Sequence, residues 1–317
     1  MTKKKYIKWF QLLGIVVFVI ILTQLDFQNI KNQLAQFNWF WLSIYGLGLI
    51  SMLFFKVLRW RTALNKQNID FSVSKVYAIN AVTSFWGLIT PARLGELAKV
   101  AFVQKEGYSF AQSLVSIIID RLYDFVILIL LGASAFVYFV SIINPDFSVI
   151  IIILAFALVG VALIFFFKNG LWELLKKIVG FLLPAERYNT LIKEWNIFKT
   201  DFGKVFPSTV IPMLFYSLLA YLCYYVQIYV VALGFGVNVS FIYLGLCSSL
   251  AALISLLPVS IGGLGTREAV FIYLLSKISI SSETAVLISF IEGSVFAILL
   301  MALIAFAGNI FLGAKSI

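Results

Sequence analysis

The chain has 317 residues, of which 62% are hydrophobic and 12% charged, with a mean hydropathy of +1.03. That composition excludes a soluble globular domain and indicates an all-α polytopic membrane protein. The net charge of +10 reads as a topology signal and not as a nucleic-acid footprint, since most Lys and Arg gather at the ends of apolar runs.

The first apolar run, about 9–25, follows Lys3, Lys4, Lys5 and Lys8. It has the look of a secretory leader, but Thr23-Gln24-Leu25 offers no small-x-small cleavage site, so a retained span is expected. Further runs long enough to cross roughly 30 Å of hydrocarbon lie at about 39–57, 109–142, 147–167, 207–233 and 283–311, which makes six crossings. Trp39, Phe40, Trp41 and Trp60 fall at span ends and read as interfacial anchors.

Two apolar stretches are interrupted. The stretch about 75–104 contains Thr90-Pro91-Ala92-Arg93-Leu94-Gly95-Glu96, and the stretch about 240–276 contains Pro258 followed by Gly262-Gly263-Leu264-Gly265-Thr266-Arg267-Glu268. Pro91 and Pro258 each have Gly four residues on, unlike the other prolines. A broken helix at membrane depth survives only where protein encloses it or where it lines a wet cavity. Each half is too short to cross alone, so both stretches are expected to be re-entrant helix-break-helix hairpins.

The positive-inside rule orders these pieces. With both termini cytoplasmic, eighteen of the 24 Lys and Arg fall on that side, among them Lys56, Arg59, Arg61, Lys66, Lys105 and Lys315, whereas Lys31 and Lys277 fall outside. The whole of 1–317 is then one membrane domain. A first half, 1–167, joins a second, 207–317, through a cytoplasmic connector, 168–206, whose Glu173, Lys176, Lys177 and Gly180 share one face of an amphipathic helix. The halves run in opposite directions, the inverted repeat in which two broken elements meet near the midplane.

Nine ionisable residues lie inside spans or hairpins: Arg93, Glu96, Lys99, Asp120, Arg121, Asp124, Arg267, Glu268 and Glu292. At roughly 2.5–3.5 kcal/mol each in lipid they must face inward and pair. Glu96 with Lys99, and Arg121 with Asp124, stand at i,i+3. Arg93 and Arg267 stand beside helix starts, where free N–H groups favour an anion and a guanidinium adds a fork suited to phosphate. Lys99, Asp120, Asp124 and Glu292 read as gating or charge-pairing groups, with Pro91, Gly95, Pro258, Gly262 and Gly263 as the breaks. Asn80, Thr83, Ser84, Thr90, Ser248, Ser249, Ser255 and Ser260 either contact a headgroup or cap freed backbone groups. The chain has no His, and Cys223 and Cys247 lie in apolar stretches, so no metal site or cofactor is expected.

The break motifs, together with Asp120-Arg121 and Asp124, resemble the transmembrane part of the lysylphosphatidylglycerol synthase family, also called flippase-like, over nearly the whole chain. The resemblance implies movement of lipid between leaflets, with Glu96, Arg121 and Glu268 joining the two hairpin arginines at the headgroup. In larger members a fused cytosolic domain makes the aminoacylated lipid. Here only Leu312 to Ile317 follow the last span, so a lysyltransferase label is not expected to describe this chain's chemistry. The reading is a translocase in the plasma membrane for an anionic lipid such as a phosphatidylglycerol derivative, a glycolipid or a polyprenyl phosphate. The alternative is a membrane-embedded lipid-modifying transferase, for which paired carboxylates do acid/base work; whether the protein is an enzyme stays open at this point, the balance leaning to a transporter.

Overall fold

The computed structural model describes residues 3–143, 185–255, 260, 263–293 and 295–314. The expected span at 147–167, residues 168–184 of the connector, and Pro258 and Gly262 lie outside them. Among the described residues all regular structure is helical.

Helix α1 (Lys3–Gln24) meets α2 (Phe27–Gln36) at a bend of 87°. Asp26 makes the corner: its carboxylate accepts the N–H groups of Gln28 at 2.8 Å and Asn29 at 3.2 Å, capping α2 where no intrahelical acceptor exists. The chain then forms α3 (Phe40–Asn65), α4 (Val73–Ile89), a 3₁₀ segment (Pro91–Ala98), α5 (Lys99–Gln104) and α6 (Phe110–Ile143). After the undescribed stretch come α7 (Ala185–Gly234), α8 (Phe241–Ile254), α9 (Thr266–Ser276), α10 (Ser282–Gly293) and α11 (Val295–Ala314). Three described helical stretches are long and apolar enough to cross a membrane, Phe40–Asn65, Ile192–Gly234 and Ser282–Gly313, and a fourth if the bent pair α1–α2 counts as one.

Both interrupted stretches are helix-break-helix elements whose ends return to one another. In the first, Lys75 near the start of α4 pairs with Glu106 just past α5 at 2.6 Å. In the second, the Tyr243 hydroxyl near the start of α8 donates to the carbonyl of Leu274 near the end of α9 at 2.7 Å.

The packing repeats between halves. Helix α3 lies along α7, close enough that a Cβ on Gly48 would come within 2.8 Å of the Gln227 side chain. Helix α4 packs on α11, and α8 packs on α6; α3 touches α4 and α6, as α7 touches α8 and α10; α5 packs on α6, as α9 packs on α10. Each hairpin therefore leans on the long helix of the opposite half. Apolar cores fill these seams, the largest joining Tyr45 of α3 to Ile228 and Val231 of α7, Leu244 and Cys247 of α8, and Phe271 and Leu275 of α9.

Two expectations change. The boundary placed at 206–207 is absent: residues 185–206 continue into the span as one helix of 50 residues that contains Pro207 and Pro212. At 1.5 Å per residue it is about 75 Å long, so it projects far beyond the hydrocarbon. Its projecting part packs on α6 through Trp195, Phe198, Phe202 and Phe206, stacked in series at 5.2, 5.7 and 5.5 Å, whereas the amphipathic face at Glu173, Lys176, Lys177 and Gly180 lies outside the described residues. Trp60 is not an interfacial anchor either. It is fully buried, and its indole N–H donates to Ser116 Oγ at 3.2 Å.

Candidate functional site

The first break is built by Thr90, Pro91 and Gly95. A residue before proline is pushed out of the helical region, and Thr90 is extended at φ −107°, ψ 143°. Its hydroxyl donates to the Trp86 carbonyl and accepts the Gly95 N–H, both at 2.7 Å, stitching the two arms together. A Cβ on Gly95 would lie 2.3 Å from the Trp86 carbonyl carbon and oxygen, so only glycine permits the turn to close. Arg93, between them, has φ +56°, a left-handed conformation that costs a non-glycine residue on the order of 1–3 kcal/mol. Its side chain is 45% exposed, and its nearest carboxylate, Glu96, stands 4.0 Å away.

Behind this turn lies an ion network across α3, α5 and α6. Arg59 Nε meets Asp120 at 2.7 Å and Arg59 Nη1 meets Asp124 at 2.5 Å, with Ser217 Oγ at 3.1 Å from the same nitrogen. Arg121 holds Glu96 at 2.5 Å and Asp124 at 2.9 Å. Lys99 pairs with Asp120 at 3.2 Å and lies 4.6 Å from the centre of the Trp60 ring. Arg59, Lys99 and Asp120 are almost wholly excluded from solvent. Such charges persist in a low-dielectric interior only when matched and hydrogen-bonded.

The second break opens α9 at Gly265, whose φ of +83° suits glycine. The Gly265 N–H donates to Glu268 Oε2 at 2.6 Å, and Ser289 Oγ donates to Glu268 Oε1 at 3.3 Å. Arg267 pairs with Glu292 of α10 at 3.0 Å, and the Tyr45 hydroxyl donates to the Glu292 carbonyl at 3.0 Å. Gly293 leaves the space for this pair, since a Cβ there would fall 1.1 Å from Arg267 Nη1. Helix α1 braces the tip: a Cβ on Gly265 would lie 2.0 Å from the Gly14 carbonyl oxygen.

Both breaks face one cavity between α3 and α7. Arg93, Glu96 and Thr90 line it from the first, Ser255, Ser260 and Arg267 from the second. Helix α3 contributes Tyr45, Leu49, Leu53 and Lys56; α6 contributes Arg121, Asp124 and Phe125; α7 contributes Tyr221, Tyr224 and Gln227. The empty space is about 1530 Å³ counting its open mouth.

Of the residues singled out in the sequence, Arg93, Glu96, Arg121, Asp124, Arg267 and Glu292 reach this cavity. Lys99 and Asp120 sit behind it. Glu268 is not part of its lining: one of its oxygens caps the start of α9 and the other accepts from Ser289 of α10. The hydroxyls mostly serve the backbone: Thr83 donates to the Ile79 carbonyl and Ser255 to the Ala251 carbonyl. Lys56 and Arg59, assigned above to the cytoplasmic surface, are instead a cavity residue and the centre of the network. Their signal was present, since Leu49, Leu53, Lys56 and Arg59 fall on one stripe of α3 at helical spacing. The tyrosines and Gln227 carried no such mark.

No curated protein and no solved structure matches the chain significantly. The family model for the lysylphosphatidylglycerol synthase TM region matches residues 9–304. A match of that extent, on a helical fold with membrane-length apolar helices and two broken elements, shows that the chain belongs to the lysylphosphatidylglycerol synthase TM family, whose setting is membrane lipid.

Proposed function

We propose that the protein is a lipid translocase, moving a lipid with a phosphate-bearing headgroup between leaflets of the plasma membrane, with both termini cytoplasmic and six crossings arranged as an inverted repeat. The observation that carries this reading is the single cavity onto which both breaks open, with Arg93 at one and Arg267 at the other. A headgroup crossing hydrocarbon loses its hydration, at a cost that fixed charges and hydroxyls offset. The Tyr, Ser and Gln side chains of the cavity replace water around the headgroup, while Leu49, Leu53, Leu88 and Met301 offer an apolar wall to the chains. The paired packing of α4 on α11 and α8 on α6 supports two exchangeable arrangements, one open to each side.

Among the described residues, the cavity carboxylates are engaged by guanidinium groups. That commitment supports transport over the acid/base work a transferase needs. The test is reconstitution in vesicles of defined lipid with a fluorescent phospholipid and an external quencher, with lipid composition analysed afterwards. Protein-dependent loss of sidedness with unchanged lipid chemistry is expected. Conversion of the lipid to a new species without transfer would replace the translocase with the transferase.

A further inference from the structure

We infer that Glu292 is an internal competitor of the lipid phosphate at Arg267: its carboxylate occupies the donor that the phosphate takes up as the lipid passes the second break. The inference rests on the translocase reading and adds the part this carboxylate plays in it. The two break arginines stand in opposite conditions. Arg93 is 45% exposed with its nearest carboxylate, Glu96, at 4.0 Å, and Arg121 draws that carboxylate to 2.5 Å. Arg267 is buried in the cavity wall and donates to Glu292 Oε2 at 3.0 Å. Glu268 also lies within electrostatic reach of Arg267, but its oxygens accept from the Gly265 N–H and from Ser289, so it cannot follow a moving guanidinium. One arginine is displayed to the cavity and the other is masked, the asymmetry that an inverted repeat shows in either of its two arrangements.

The Arg267 pair is built for exchange. Arg59, behind the cavity, reaches Asp120, Asp124 and Ser217 and is shut from solvent. Arg267 and Glu292 both line the cavity and share one hydrogen bond, and Arg267 Nε is buried with no hydrogen-bond partner among the described residues. A guanidinium has five N–H donors, so one held by a single bond keeps the others for a second anion. Gly263 and Gly293 wall it, an added Cβ standing 3.5 Å from Nε and 1.1 Å from Nη1; this slot keeps Arg267 seated while the anion opposite it changes. The Tyr45 hydroxyl fixes the Glu292 carbonyl, so the carboxylate swings from a set point and returns to it. A carboxylate and a phosphodiester each present two oxygens and one negative charge to the fork, and the exchange leaves the buried cation compensated throughout. Without Glu292, release of the lipid would orphan Arg267, and the phosphate would be held.

The test uses the full protein in phosphatidylcholine nanodiscs doped with phosphatidylglycerol. Retention of that lipid through detergent extraction is measured by mass spectrometry, with thermal unfolding alongside and transfer read in the vesicle assay. Glu292→Gln removes the competing charge and should retain about tenfold more phosphatidylglycerol than wild type while transferring it about tenfold more slowly. Phosphatidylglycerol should raise its unfolding temperature more than that of the wild type, because the lipid supplies the partner Arg267 has lost. Glu292→Asp, which keeps the charge on a shorter arm, should fall between. Glu106→Gln, which alters the Lys75 pair outside the cavity, should change none of these.

Wild-type or weaker retention, or undiminished transfer, in a folded Glu292→Gln would overturn the competitor and leave the pair as a dock within a standing headgroup cavity. If Glu292→Gln does not fold with or without phosphatidylglycerol, Glu292→Asp decides: retention above wild type upholds the exchange, and equal retention overturns it. A wild type that neither retains nor transfers the lipid would sink the translocase reading itself. Displacement of phosphatidylglycerol by an equal concentration of inorganic phosphate would overturn the lipid in favour of a free anion.

Discussion

Arg59 carries more of the first hairpin's docking than any arginine at the break itself. Its guanidinium spans Asp120 and Asp124 and is fully buried, so replacing it takes a partner from two buried carboxylates at once. Arg59→Met should therefore destabilise the protein by about 3–5 kcal/mol, read as a shift in unfolding in detergent; a change close to zero would show that Lys99 and Arg121 suffice. The same geometry alters what a double substitution does. Asp124 serves both Arg59 and Arg121, so Arg121→Gln with Asp124→Asn still leaves Arg59 short of a partner. The pair should recover little of the stability lost by Asp124→Asn alone, and full recovery would show that Asp120 satisfies Arg59 unaided. At the other break, Gly293→Ala forces Arg267 away from Glu292, since the added methyl would occupy the place of Nη1. Transfer in the vesicle assay should fall about tenfold or more while the helices persist by circular dichroism, the cost of overpacking being about 1–3 kcal/mol.

At the scale of elements, the hairpins depend on glycines where backbones touch. In the first, Gly95→Ala would drive its Cβ against the Trp86 carbonyl, whereas Gly46 of α3 has nothing within 4 Å. Gly95→Ala should lower stability by about 1–3 kcal/mol and expose 90–99 to limited proteolysis, with Gly46→Ala close to neutral; equal behaviour of the two would show that the arms part without penalty. The need for glycine at 95 was legible from its spacing to Pro91. The 3₁₀ form of Pro91–Ala98 was not, because the Thr90 hydroxyl bonds that hold it depend on the position of Trp86 in the neighbouring arm. Likewise nothing in residues 185–206 announced that they extend the following span, since Pro207 reads locally as a helix boundary. The stacked aromatics that bind this helix to α6 supply the packing that outweighs a proline's roughly 3 kcal/mol.

For the whole molecule, the matched packing of the halves makes a sidedness prediction. The ends of the first hairpin meet at Lys75 and Glu106, those of the second at Tyr243 and Leu274. If the halves are inverted, Lys105→Cys and Lys277→Cys, beside these two mouths, should react with an impermeant thiol reagent from opposite sides of sealed vesicles. Reaction from one side alone would exclude the inverted repeat while leaving the cavity intact.

Composition and the two breaks were enough to establish a helical membrane protein, the hairpins and most of the charges that enter the cavity, because the cost of a charge or a free backbone group in hydrocarbon is paid locally and so is written in local sequence. Which charges pair with which was decided by tertiary structure alone. Lys56 and Arg59 lie three residues apart at the end of a span, where the positive-inside rule accounts for both, and only the approach of α6 to α3 commits one to Asp120 and Asp124 and leaves the other facing the cavity. Glu268 adjoins Arg267 in sequence, yet the turn of α9 takes it into a cap while Arg267 reaches Glu292. Pairing in a low-dielectric interior depends on distances of a few ångströms between residues far apart in the chain, and spacing along one helix does not contain them.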